Sequence, residues 1–196
     1  MQGSRGETEI GPVNDDRPIP RLALLFCIVL LVDQVTKYIA VSTLRVGVPV
    51  PVLGDFVRWT LTYNPGGAFG VRLGGSVYYL VTSFVIFFIL IMYVWRHRFV
   101  NHVAVPLSIV AGGAAGNIID RLRYGEVIDF VDCDFFNIHV GIYNMDRWPI
   151  FNVADMAVSI GIVVTIILIL FFSRKTANAE ITEHRNVDVE QSSRKN

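Results

Sequence analysis

The sequence predicts a membrane-embedded, all-α protein: four transmembrane helices, with short strands outside the membrane and a short amphipathic helix. Three observations lead there. Of 196 residues, 53% are apolar, and the mean hydropathy is positive. The apolar residues gather into blocks long enough to compete for a bilayer, whose hydrocarbon takes roughly 20 helical residues to cross. Between the blocks lie short stretches rich in Pro, Gly and aromatic residues, some of them alternating in polarity. Lys+Arg and Asp+Glu are 17 each, but in such a chain the distribution of charge carries the information and the sum does not. No basic stripe interleaved with aromatics is present, which argues against nucleic-acid binding.

Residues 1–21 are polar and read as a disordered cytoplasmic tail. The membrane domain runs over 22–173, with spans at about 22–43, 76–95, 102–121 and 150–172. In the first span Asp33 and Lys37 stand at i and i+4 and can pair on one helix face. A cleaved signal peptide ending near Ala40-Val41-Ser42 is the alternative, and the polar Asp33-Gln34 and Lys37 just before that site speak against it. Pro49, Pro51, Gly54 and the alternating run Phe56 to Tyr63 predict short strands. Asn64-Pro65-Gly66-Gly67 is a turn signal, followed by the short amphipathic piece. Ser76 to Trp95 carries no charge and is the clearest span. The third span has Pro106 near its start and the small-residue run Gly112 to Gly116, which lets a helix press its backbone against a neighbour. Residues 122–148 read as a polar, aromatic loop holding Asp129, Asp132, Asp134 and His139. The fourth span has Asp155 in its first turns, and 174–196 reads as a second disordered cytoplasmic tail.

Arg17 and Arg21, then Arg96 and Arg98, then Arg174 and Lys175 fall on one side, which should be cytoplasmic. Both termini are then cytoplasmic, and the loops 44–75 and 122–148 lie outside. That topology brings Asp33, Lys37, Asn64, Asn117, Asp120, Arg121, Asp129, Asn152 and Asp155 towards one outer face. Cys27 reads as a buried small hydrophobe, and a disulfide from it to Cys133 would join a membrane interior to a loop. No CxxC or His/Cys cluster suggests a metal, and no cofactor is expected.

The chemistry to explain is two aspartates, each at the edge of an apolar segment. Two carboxylates sharing a partly desolvated site cannot both ionise easily, so one keeps a proton near neutral pH. The ionised partner can then activate a water while the protonated one donates to a scissile carbonyl oxygen. Asp129 and Asp155 are the pair. Asn152, three residues before Asp155, orients it or a substrate carbonyl. Asn117 and Arg121 share a helical face and are expected to hold the loop bearing Asp129. Asp120 reads as structural, pairing with Lys37 or with neighbours of Arg121.

At these residues the sequence resembles the lipoprotein signal peptidases, or signal peptidase II. The matching blocks are Asp33-Gln34-Val35-Thr36-Lys37, Asn64-Pro65-Gly66-Gly67-Ala68-Phe69, Gly112 to Arg121, Gly125 to Phe130, and Phe151-Asn152-Val153-Ala154-Asp155. Together they cover about residues 22–172. The resemblance implies a four-helix intramembrane aspartic protease with a small extracytoplasmic β-cradle, one that cuts prolipoproteins just before a diacylglyceryl-modified cysteine. It implies that Asp129 and Asp155 match the catalytic pair, with Asn64, Gly66, Asn117, Arg121, Asn152, Asp33, Lys37 and Asp120 as substrate-binding or supporting positions. Membrane lipids and globomycin-type inhibitors would be its other partners. The stretch Cys133 to Trp148 and the tail before Leu22 look longer than the family needs.

The rival class is a transporter or proton relay using Asp33, Lys37 and Asp155. Against it, the acids cluster at one membrane face, and the second span lacks pore-type polarity. A thiol protease built on Cys133 and His139 lacks an evident third orienting group. A non-catalytic scaffold would not need polar groups converging from three separate helices.

Overall fold

The computed structural model describes residues 19–66, 75–96, 101–135, 138–140, 143–145 and 147–172. The expected amphipathic helix, which falls on 67–74, and most of both tails lie outside these residues. Four helices are long and apolar enough to cross a membrane: α1 (Ile19–Thr43), α2 (Ser76–Arg96), α3 (Asn101–Tyr124) and α4 (Val153–Phe172). Pro20 stands in the first turn of α1, where a missing N–H costs no hydrogen bond. At the other end of the bundle, Gly125 closes α3 with a positive φ of 75° and donates its N–H to Arg121 O at 3.0 Å.

α3 is the centre of the bundle, because its small residues let the other helices come close. A Cβ on Gly112 would lie 2.7 Å from Phe26 O of α1, and one on Gly113 would lie 2.6 Å from Ala154 O of α4. A Cβ on Gly116 would fall onto Asp33 Oδ2, so only glycine admits that carboxylate. The Ser108 hydroxyl donates to Leu22 O and ties the far ends of α3 and α1 together.

α1 turns a single narrow face inward, made of Leu22, Asp33, Lys37 and Ala40. Cys27 falls off that face and is exposed, contrary to its expected burial. The reason is geometric: most of a bundle helix's circumference meets lipid, so an apolar run does not mean a protein-buried residue. α2 has no buried residue at all.

At one end of the helical bundle sits an antiparallel sheet of β1 (Val50–Leu53), β2 (Val57–Asn64) and β3 (Val127–Cys133), in that order. A separate hairpin pairs β4 (Ile138–Val140) with β5 (Tyr143–Met145). β1 and β2 answer to the expected strands. β3 corrects the reading of 122–148 as a loop. Its burial on both faces removes the polar alternation by which a strand is read. Thr62 is registered with Asp129, and a bulge between Trp59 and Thr62 inserts one extra residue into β2.

Leu61, Ile128 and Phe130 form a cluster with Ala40, with Leu44 and Val153 packed against it. This cluster seats the sheet on the ends of α1 and α4. The chain then enters α4 along the free edge of β3, where Phe130 and Val131 donate to Phe151 O at 3.1 and 2.8 Å.

Candidate active site

The site is built on one buried ammonium. Lys37 Nζ lies 2.9 Å from Asp33 Oδ2, 2.6 Å from Asp120 Oδ2 and 2.9 Å from Asn117 Oδ1, which uses all its donors. Asp33, Lys37 and Asp120 are 0%, 2% and 1% exposed. Two carboxylates on one ammonium leave a negative charge, which neutral donors help to solvate. Ala154 N–H at the start of α4 donates to Asp33 Oδ1 at 2.9 Å, and Ile128 N–H donates to Asp120 Oδ2 at 3.2 Å. Gln34 Nε2 reaches Asp33 Oδ2 at 3.2 Å and Asp120 Oδ1 at 3.1 Å. The knot therefore bolts α1, α3, the start of β3 and the start of α4 to one another.

From the knot, Asn117 carries geometry to the acids. Its Oδ1 faces Lys37, which can only donate, so its Nδ2 must point the other way, to Asp155 Oδ1 at 2.8 Å. Asp155 lies in the first turn of α4 and is half-buried. Its other oxygen accepts Asn152 N–H at 3.2 Å, while Asp155 N–H donates to Asn152 Oδ1 at 2.9 Å. This reciprocal capping is the local reason why Asn152 starts the helix and Asp155 faces back over its end.

Asp129, on β3, is 2% exposed. Asn152 Nδ2 donates to its Oδ1 at 2.7 Å and Asn64 Nδ2 to its Oδ2 at 3.1 Å. Gly66 N–H holds Asn64 Oδ1 at 3.0 Å, which turns the Asn64 amide so that its N–H₂ group meets Asp129. Burial, then the negative charge of Asp155, pushes the Asp129 carboxyl up to about 7, against the pull of the Asn64 and Asn152 bonds. Asn152 is fully buried and touches both acids, one through its side chain and the other through its backbone.

A cavity of about 790 Å³ covers the two acids. Its polar end is lined by Asn64, Gly66, Asn117, Arg121, Asp129 and Asp155, and its apolar walls by Phe135, Trp148, Phe151, Met156 and Ile160. Met156 and Ile160 belong to the exposed side of α4, so the cavity opens sideways along a surface that faces the bilayer.

The structure thus brings every candidate residue into one connected region, with two shifts of partner. Asn117 holds Asp155 and not the segment bearing Asp129, which is held by Asn64 and Asn152. Arg121 lines the cavity, and its guanidinium makes a long contact of 3.4 Å to Asn117 O. Gln34 was not singled out by the sequence, although its place beside Asp33 in an apolar run was a usable signal. Trp148 gave none, since an aromatic residue in a loop carries no period. Cys133 is buried on β3, and burial pushes its thiol up, away from the thiolate that a nucleophile needs. The side chain of His139 lies outside the described residues.

Comparison with known proteins covers the same elements. The family described as Signal peptidase (SPase) II matches residues 25–171. The chain is similar to the lipoprotein signal peptidase of Polynucleobacter necessarius subsp. necessarius, with 37% identity over 145 residues, 72% of this chain and 83% of that protein. It is also similar to that of Desulforapulum autotrophicum, with 37% identity over 161 residues, 79% of this chain and 94% of that protein. A solved structure described as a bacterial membrane enzyme aligns with TM-score 0.66 and 32% identity over 82% of this chain and 92% of its own. The match spans α1 to α4, and the chain belongs to the signal peptidase II family of multi-pass bacterial membrane proteases.

Proposed function

We propose that this chain is an intramembrane aspartic endopeptidase that removes signal peptides from prolipoproteins, cutting before a diacylglyceryl-modified cysteine. The observation that carries the reading is Asn152 binding Asp129 and Asp155 at the polar end of a cavity open towards lipid. Each acid faces two N–H donors, so burial decides: Asp129, the more buried, holds the shared proton, and Asp155, nearer solvent, carries the charge. A water between them gives a proton to Asp155 as its oxygen attacks the scissile carbonyl carbon. Asp129 protonates the carbonyl oxygen at the same time. Collapse of the gem-diol breaks the C–N bond: Asp155 passes its proton to the leaving amine, and one diol hydroxyl returns a proton to Asp129 as the carbonyl re-forms. Neither a metal nor a covalent enzyme intermediate is needed.

The substrate would enter sideways from the bilayer, its acyl chains along Met156 and Ile160 and its backbone under β2. In this reading both termini are cytoplasmic, the cavity lies near the extracytoplasmic face, and globomycin occupies it as an inhibitor. The test is to incubate purified protein in bilayers with one prolipoprotein, diacylglyceryl-modified or bare. Cleavage before the modified cysteine alone is expected. Equal cleavage of the bare precursor would sink the lipid-specific reading, and ion flux without cleavage would favour the transport class.

The dyad also sets a pH dependence. Activity should fall on the alkaline side as Asp129 loses its proton, with an apparent midpoint near 7. The Asn64 bond favours the ionised form, so Asn64→Ala should raise the pKa and move that limb to higher pH. The measurement is kcat against pH for both proteins. A limb that stays put would mean that a group other than Asp129 is titrating.

A further inference from the structure

β3 carries a second buried aspartate that the mechanism does not use. Asp132 is an odd number of residues from Asp129, so it projects from the opposite face of the sheet, away from the cavity. It is 4% exposed and accepts from Arg58 Nε at 3.2 Å and Nη2 at 3.1 Å, Thr60 Oγ1 at 2.9 Å and Arg147 Nε at 2.7 Å. Arg147 Nη1 also reaches Asp134 Oδ2 at 3.4 Å. Burial pushes the Asp132 carboxyl up, but bonds from Arg147 and Thr60 and the two guanidinium charges outweigh it and hold it below its ordinary value. The cluster stays charged across the neutral range.

The two arginines do different work. Arg58 is the registered partner of Asp132 on β2, where a ladder already sets the alignment. Arg147 belongs to the segment 147–151, which has no ladder: its Val131↔Phe151 pair is an isolated bridge, helped by Trp148 N–H on Cys133 O at 3.2 Å. That segment leads straight into Asn152 and Asp155. Its alignment along β3 therefore decides how far Asp155 stands from Asp129.

We propose that Asp132 and Arg147 are positioning residues for the cleavage reaction: their ion pair, on the far face of the cradle, sets the register between β3 and segment 147–151 and so the spacing of Asp129 and Asp155. The proposal rests on the dyad reading above. A strand slip of one residue is about 3.3 Å, and a displacement of about 1 Å at reacting groups already costs on the order of 100-fold in rate. A half-buried pair to an already charged carboxylate is also better held than an exposed one.

The test compares kcat and KM of wild type, Arg147→Met, Arg58→Met and Asp129→Asn on diacylglyceryl-modified prolipoprotein in bilayers. Each arginine variant removes one guanidinium from the same carboxylate, so a purely stabilising role would affect both alike. Arg147→Met is expected to lower kcat about tenfold or more with KM within about threefold, and Arg58→Met to keep kcat within about twofold. Arg147→Lys keeps the charge without the second contact and should fall between, about threefold below wild type. Equal losses in Arg147→Met and Arg58→Met, or no loss in either, would overturn the proposal while an inactive Asp129→Asn left the dyad standing. An active Asp129→Asn overturns both. If Arg147→Met does not fold, wild-type kcat in Arg147→Lys overturns the proposal.

Discussion

Asp129→Asn and Asp155→Asn should each lower kcat by at least about 10³-fold, the upper range for a positioned acid or base. The two changes act on different halves of one step. Asn at 129 cannot deliver the proton that the carbonyl oxygen needs, and Asn at 155 cannot take one from water. Because the acids work as a unit, the double variant should be hardly slower than either single one. Each change keeps the size of the side chain but sets an N–H₂ group against an existing donor, from Asn64 or Asn152 at 129 and from Asn117 or Asn152 N–H at 155. Thermal unfolding in detergent must therefore accompany the assay. Folded variants that cut within tenfold of wild type would refute the paired-aspartate mechanism.

Lys37→Met should be the most destabilising single change on the polar face of α1. It removes the shared partner of Asp33 and Asp120 and leaves two buried carboxylates without a counter-charge. Breaking a buried pair in this way costs about 3–5 kcal/mol. Asn117 would also lose one of the two donors that orient its amide oxygen, keeping only Asn152 Nδ2, and its hold on Asp155 would loosen. Both stability and cleavage should fall, and denaturant unfolding in mixed micelles reads the first independently of the second. A loss below about 1 kcal/mol would mean that the knot contributes alignment without net stability, as buried ion clusters sometimes do.

The polar residues of the site were legible because the membrane makes them anomalous. Asp33, Lys37, Asn117, Asp120, Arg121 and Asp155 interrupt runs that otherwise carry no charge, and a bilayer tolerates such groups only where they are paired or used. Their helical spacing also told which of them share a face. Their partners were harder to read. Nothing in the spacing says that Asn117 turns to Asp155 while Asn152 reaches Asp129, since that depends on how α3, α4 and β3 meet. The burial of Cys27 was misjudged for a related reason: hydropathy cannot separate a lipid-facing residue from one packed against protein.

Four spans, a strand-forming region and the choice of Asp129 and Asp155 as candidate acids follow from composition, period and motif alone, because each is a local property of the chain. The sheet's third strand, the reach of the Lys37 knot to Ile128 and Ala154, and the Asp132–Arg147 ion pair came only from the folded molecule. Each joins residues far apart in sequence, and a strand buried on both faces leaves no alternation to read. The spacing of Asp129 and Asp155 belongs to that second group. It is set by contacts among β3, α3 and the start of α4, none of which is local.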